Sequence, residues 1–157
     1  MPVILHRIDD RMVHGQEVVG WGQPLAVGFI VLVDDTVAVN QWEQDLYRMG
    51  VPTEIQLYFA TVEEAARDAA RWREDPRNGI VLMGDVRTMD AYCRLALPVA
   101  RVNLGGIHQK PGRTQRVPYV FLSPDEFAVL EGLAARGSIV TAQDLPSSVP
   151  IPLESLR

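Results

Sequence analysis

One cysteine, Cys93, stands alone in the 157 residues, so no internal disulfide can staple the fold and no cysteine pair can hold a metal. With no histidine beside it, Cys93 reads as a small core residue rather than a nucleophile. Long apolar runs are missing too. No stretch approaches the roughly 20 apolar residues of a membrane helix, and Met1-Pro2-Val3-Ile4-Leu5-His6-Arg7 has neither the basic start nor the apolar middle of a secretion signal. A cytoplasmic location is expected. Positive charge is in deficit, with a formal net charge of -5 and no basic run. That argues against a general nucleic-acid binder, whose affinity comes from clustered Lys and Arg. The three histidines, His6, His14 and His108, have no H-x-x-x-H spacing, which leaves a metal site as a minor reading. Neither Gly105-Gly106 nor Gly20-Trp21-Gly22 completes a dinucleotide fingerprint.

What is present is an ordinary globular composition, 47% hydrophobic and 22% charged. The length fits a single domain over 1–157, its proline-rich residues 146–157 read as an extended tail laid over the surface. Apolar runs and alternations predict strands over Val3–Ile8, Val27–Val33, Glu54–Phe59, Gly79–Asp85, Val99–Leu104, Val117–Leu122 and Ser138–Thr141. Pro118 favours an edge position for its strand, and Gln109–Arg116 reads as a turn-rich loop. Helices are predicted over Gly15–Gln23, Val39–Met49, from Thr61 to about Glu74, over Met89–Leu97, and from Ser123 to the stop at Gly137. Val39, Trp42, Leu46 and Met49 recur at helical spacing. Trp21 and Trp42 read as core anchors, with a partner interface as the alternative.

Repeated alternation of strand and helix implies an α/β fold: three layers, an open and mostly parallel sheet with helices on both faces, and a mixed edge. In such sheets ligands bind at the carboxyl edge of the strands. Asp9–His14, Asp34-Asp35, Asp85 and Gly105–His108 all fall at predicted strand ends.

The densest chemistry is Arg7-Ile8-Asp9-Asp10-Arg11-Met12-Val13-His14-Gly15-Gln16. Neutral imidazole, with a pKa of about 6.5, can act as a nucleophile toward phosphorus. Arg11 or Arg7 and the amides of Gly15 and Gln16 can surround a phosphoryl group, which needs little beyond positioning and charge stabilisation. Asp9 and Asp10 would repel phosphate, so one of them is expected to pin Arg11 or Arg7 or to bond loop amides. His6 reads as a packed strand residue, and His108 as able to line the active edge. On these residues alone, His14 stays open between loop scaffolding and a nucleophile.

This stretch, with Val18-Val19-Gly20-Trp21, resembles the phosphorylation motif of the IIB component of the mannose/fructose/sorbose class of the bacterial phosphoenolpyruvate-dependent sugar phosphotransferase system. The likeness extends through Val33-Asp34-Asp35, the segment from Asn40 to Pro52, and Asn103-Leu104-Gly105-Gly106-Ile107-His108. It implies a three-layer α/β fold and a phosphohistidine–sugar phosphotransferase without metal or organic cofactor. By the resemblance, Nδ1 of His14 accepts phosphate from a phosphorylated IIA protein, Arg11 supports it, and a sugar held by membrane IIC and IID components receives it. Peripheral attachment to the inner membrane through those components follows, and a homodimer is possible. The alternative is a regulatory phosphocarrier read by a partner protein, with no sugar acceptor. Met12 and Glu17 depart from the expected pattern, and Glu17 places a negative charge near the phosphate.

Overall fold

The apolar run at the amino terminus becomes β1 (Val3–Ile8), which lies in the middle of a seven-stranded sheet of order β3-β2-β4-β1-β5-β8-β9. The computed structural model describes residues 3–96 and 98–157, without the side chains of Gln16 and Glu17. Beside β1 run β4 (Asn78–Met83) and β5 (Arg101–Leu104), both parallel to it. Beyond β4 come β2 (Val27–Val33) and β3 (Gln56–Ala60), also parallel. On the other side β8 (Ile139–Ala142) is parallel to β5. β9 (Ile151–Pro152) closes that edge antiparallel. Central strands covered on both faces must be apolar throughout, and Phe29 to Val33 and Ile80 to Met83 are buried accordingly.

One face packs under α2 (Val62–Arg67), α3 (Ala69–Glu74), α4 (Val86–Leu95) and α5 (Pro124–Ala135), with Phe29, Val31, Val81, Met83 and Leu104 meeting Trp72, Met89, Leu130 and Leu133. The opposite face packs Ile30, Leu32, Ile80 and Leu82 against Val18 and Trp21 of a π-helical segment, Gln16–Gly22, and against Tyr47 of α1 (Gln41–Met49). The layers are therefore those expected, with a mixed edge at β8 and β9.

Several boundaries differ for identifiable reasons. Asp85, expected to end a strand, instead caps α4 by accepting from the Thr88 amide at 2.7 Å, so the helix starts at Val86. The expected end of that helix at Leu97 lies outside the described residues. The helix expected from Thr61 to about Glu74 keeps its capping box but divides at Asp68 into α2 and α3. Pro118 cannot donate to a ladder, and the strand expected across it becomes a turn between β6 (Thr114–Val117) and β7 (Val120–Leu122), a separate antiparallel pair. Residues 146–157 do more than lie extended: they supply β9 and a 3-10 turn that buries Leu153 and Leu156.

The stripe on α1 is the main departure. The helix begins at Gln41, which leaves Val39 in a 3-10 turn before it; Val39, Trp42 and Met49 are 81%, 71% and 83% exposed, so Trp42 is no core anchor, whereas Trp21 is one. Cys93 is half-buried, and burial pushes its thiol up to about 11, consistent with a packing residue. No helix among the described residues is long and apolar enough to cross a membrane.

Candidate functional site

The chain leaves central β1 toward β2 on one side, while β5 pairs with β1 on the other. Loops after β1 and β5 therefore meet at a switch point of the sheet, the place where open α/β sheets hold ligands. The Asp9 amide donates to Met83 O at 2.9 Å, Gly105 N donates to Ile8 O at 2.7 Å, and the Asp10 amide donates to Gly106 O at 2.8 Å, stitching the two loops together.

Arg7, near the end of β1 on its Trp21 side, is completely buried. A buried guanidinium must satisfy its donors or cost several kcal/mol, and this one does so across the fold. Nη1 donates to Asn103 Oδ1 and, at 2.8 Å, to the Gln143 carbonyl; Nη2 donates to the Asp144 carbonyl at 3.2 Å. Its carbon sits 4.5 Å from the Trp21 ring centroid, and the indole N–H donates to the same Asp144 carbonyl at 3.0 Å. Glycine is required next door: a Cβ on Gly105 would fall 2.4 Å from Arg7 Nη2 and 2.8 Å from Asp9 Oδ2.

Asp9 is also fully buried, and it is the hub. It lies 3.7 Å from Arg7 Nη2 and accepts from Arg11 N at 3.1 Å, Arg11 Nε at 3.4 Å and Gly106 N at 3.1 Å. His14 Nε2 faces Oδ2, the oxygen that Gly106 N donates to, at 3.5 Å. Burial by itself would raise this carboxyl, but hydrogen bonds from His14, Arg11 and Gly106 outweigh it and hold Asp9 well below the usual carboxylate range. An ionised carboxylate facing Nε2 favours the tautomer that carries its proton on that nitrogen. His14 keeps 18% of its side chain accessible, and Arg11 40%. Between them Met12 turns the chain through a positive φ of 58°, with its amide bonded to Asp9 O at 2.9 Å.

Asp10 points elsewhere. It accepts from the His108 amide at 2.7 Å and meets His108 Nδ1 at 2.5 Å, at a rim where His108 is 64% exposed. Gly15 precedes the π-helical segment with open space where a Cβ would stand. The Gln16 side chain, expected near the site, and that of Glu17 lie outside the described residues.

Arg7, Asp9, Asp10, Arg11, His14 and His108 are thus gathered at one edge, while the other strand-end acids serve local structure. Asp34 bonds the Thr36 and Val37 amides, Asp35 the Val62 amide, and Asp85 caps α4. His6 lies on the α4 side, its ring 6.1 Å from Tyr92. Asn103, Gln143, Asp144 and Trp21 were not read from the sequence as parts of this site; a fully buried arginine has to have acceptors, and that requirement is the signal that points to them. Among the described residues no group of three or more metal-ligating side chains is assembled.

Residues 3–156 match the profile of the family described as the PTS system sorbose subfamily IIB component. The N-acetylgalactosamine-specific phosphotransferase enzyme IIB component 1 of Escherichia coli K12 is 30% identical over 150 residues, covering 92% of this chain and 91% of that protein. The mannose-specific EIIAB component of the same strain is 25% identical over 137 residues, 87% of this chain and 42% of the relative. In fold, the IIBSor domain of the sorbose permease from Klebsiella pneumoniae superposes with a TM-score of 0.88 at 22% identity, over 99% of this chain and 96% of that one.

Proposed function

The chain belongs to the sorbose-subfamily IIB components of the PTS, and from that membership we propose that His14 is its phosphoryl carrier. IIB components of this system are phosphotransferases of sugar uptake. One observation supports the assignment to His14 above all: its Nε2 is turned to a buried, ionised aspartate beside an accessible arginine.

In the proposed reaction the Nδ1 lone pair attacks the phosphorus of a phosphohistidine on a IIA protein. The new N–P bond forms as the donor's N–P bond breaks. Because Nε2 keeps its proton, the phosphorylated ring gains positive charge, and the Asp9 carboxylate offsets it. Arg11, pinned by Asp9 but 40% exposed, reaches the equatorial oxygens. The N–H groups opening the Gln16–Gly22 segment add further donors. Asp10 and His108 shape the rim, and Arg7 supports the loop from beneath. In the second half of the cycle a sugar hydroxyl presented by membrane IIC and IID components attacks the phosphorus from the membrane side of this cytoplasmic chain: the O–P bond forms as the N–P bond breaks, the electron pair returns to Nδ1, and the hydroxyl proton passes to water. A IIA partner is in keeping with the name of the EIIAB relative.

The test is transfer of labelled phosphate from phosphoenolpyruvate, through enzyme I, the phosphocarrier protein and a cognate IIA, to this chain. Acid-labile, base-stable label on the wild type and none on His14→Ala is expected. Equal labelling of both rules out His14. Arg11→Ala is expected to slow transfer about a hundredfold while the fold is kept, and an unchanged rate removes Arg11 from the reaction.

A further inference from the structure

β1 and β5 pair only next to the His14 edge, at Arg7↔Asn103 and Ile8↔Leu104. Nearer their amino ends the two strands part around a cavity of about 540 Å³, within the size range of small-molecule sites. Leu5 and His6 of β1, Arg101 and Asn103 of β5, Thr141 of β8 and Arg73 of α3 line it, and among the described residues no aspartate or glutamate does.

The electrostatics of this cleft are one-sided. Arg73 Nη2 donates to the Pro98 carbonyl at 2.5 Å, which anchors its side chain at the rim. Burial and then the charge of Arg73 lower the His6 imidazole to about 4, so His6 is a neutral hydrogen-bonding group at physiological pH. Arg101 is exposed at the start of β5. Leu5, Pro98 and Pro150 supply apolar wall.

We propose that this cleft binds a phosphomonoester carried on a small hydroxylated body. Two guanidinium groups match the two negative charges of a phosphomonoester, where a carboxylate would be balanced by one. The hydroxyl of Thr141 and the imidazole of His6 offer partners to ligand hydroxyls, and the apolar wall takes the carbon skeleton. Asn103, one of the lining residues, also accepts from Arg7, which connects the cleft to the support of the Asp9–His14 pair. Binding here does not depend on the chemistry proposed for His14, since none of these lining residues lies between Asp9 and His14.

The test is titration of the unphosphorylated protein with glycerol 3-phosphate at constant ionic strength, followed by amide NMR, beside titrations with glycerol and with inorganic phosphate. Saturable shifts at His6, Val102 and Thr141 are expected with glycerol 3-phosphate, none with glycerol, and weaker binding with inorganic phosphate. Arg101→Ala and Arg73→Gln should each raise Kd about tenfold. Arg101 is exposed, so its replacement tests binding without disturbing the fold. The proposal is overturned if shifts are confined to Arg11–Gln16, which would place the anion at the His14 site alone. It also fails if Arg101→Ala binds as tightly as wild type, or if inorganic phosphate binds as tightly as the ester.

Discussion

Asp9 and Asp10 are neighbours on the chain and each meets a histidine, yet the two pairs inhabit different media. Asp10 and His108 touch at 2.5 Å, a full ångström closer than Asp9 and His14 at 3.5 Å. Distance alone would rank the rim pair first. Burial reverses the order, because His108 is 64% exposed and its attraction is screened, while Asp9 is sealed under Arg7 with Gly105 against it. Charge held away from water acts on its neighbours with far less attenuation, so the buried carboxylate is the one suited to the imidazolium of the proposed transfer.

Removing the support of the buried pair should have the largest effect. Arg7→Met leaves Asn103 Oδ1 and the Gln143 carbonyl without their Arg7 donor, the Asp144 carbonyl with the Trp21 indole, and Asp9 with one cation fewer. A loss of about 3–5 kcal/mol in urea unfolding is expected, and a change below about 1 kcal/mol would show that the network contributes little. Asp9→Asn should lower the rate of phosphoryl transfer about a hundredfold, with the His14 tautomer altered in nitrogen NMR. Its stability effect carries a sign. A carboxyl depressed in the folded state contributes stability that is full above its unfolded pKa of about 4 and is lost as pH falls toward the folded value. The gap in Tm between wild type and Asp9→Asn is therefore expected to be widest near neutral pH and to close in acid; a gap that widened in acid would contradict the depressed carboxyl. His108→Gln should be mildest, with a change in transfer rate of up to about fivefold that shrinks as salt is added. A loss as large as that of Asp9→Asn would erase the distinction between the pairs.

Much of this site was legible because its chemistry is contiguous. Arg7, Asp9, Arg11 and His14 sit within one loop and the strand before it, and the buried apolar runs placed that loop at the carboxyl edge of the sheet. Their mutual arrangement was not legible: nothing in the spacing says that Asp9 rather than Asp10 turns inward, or that Asn103 and Gln143 close over Arg7. Those contacts depend on which strands become neighbours. The same limit explains α1. Its periodicity shows that Trp42, Leu46 and Met49 share a face, but period alone does not say whether the protein covers that face, and here it does not. Asp85 illustrates the local version, since an acid after an apolar run serves equally as a strand end or a helix cap, and the Thr88 amide decides.

The reach of Arg7 has a consequence for synthesis. Its carbonyl acceptors lie 136 and 137 positions further along the chain. During translation β1 and His14 leave the ribosome long before Gln143 and Asp144 exist, and contacts so distant in sequence form late. A stalled or prematurely ended product would display the histidine without the lock beneath its buried counter-charge. The Arg7 lock can therefore close only once Gln143 and Asp144 have been made.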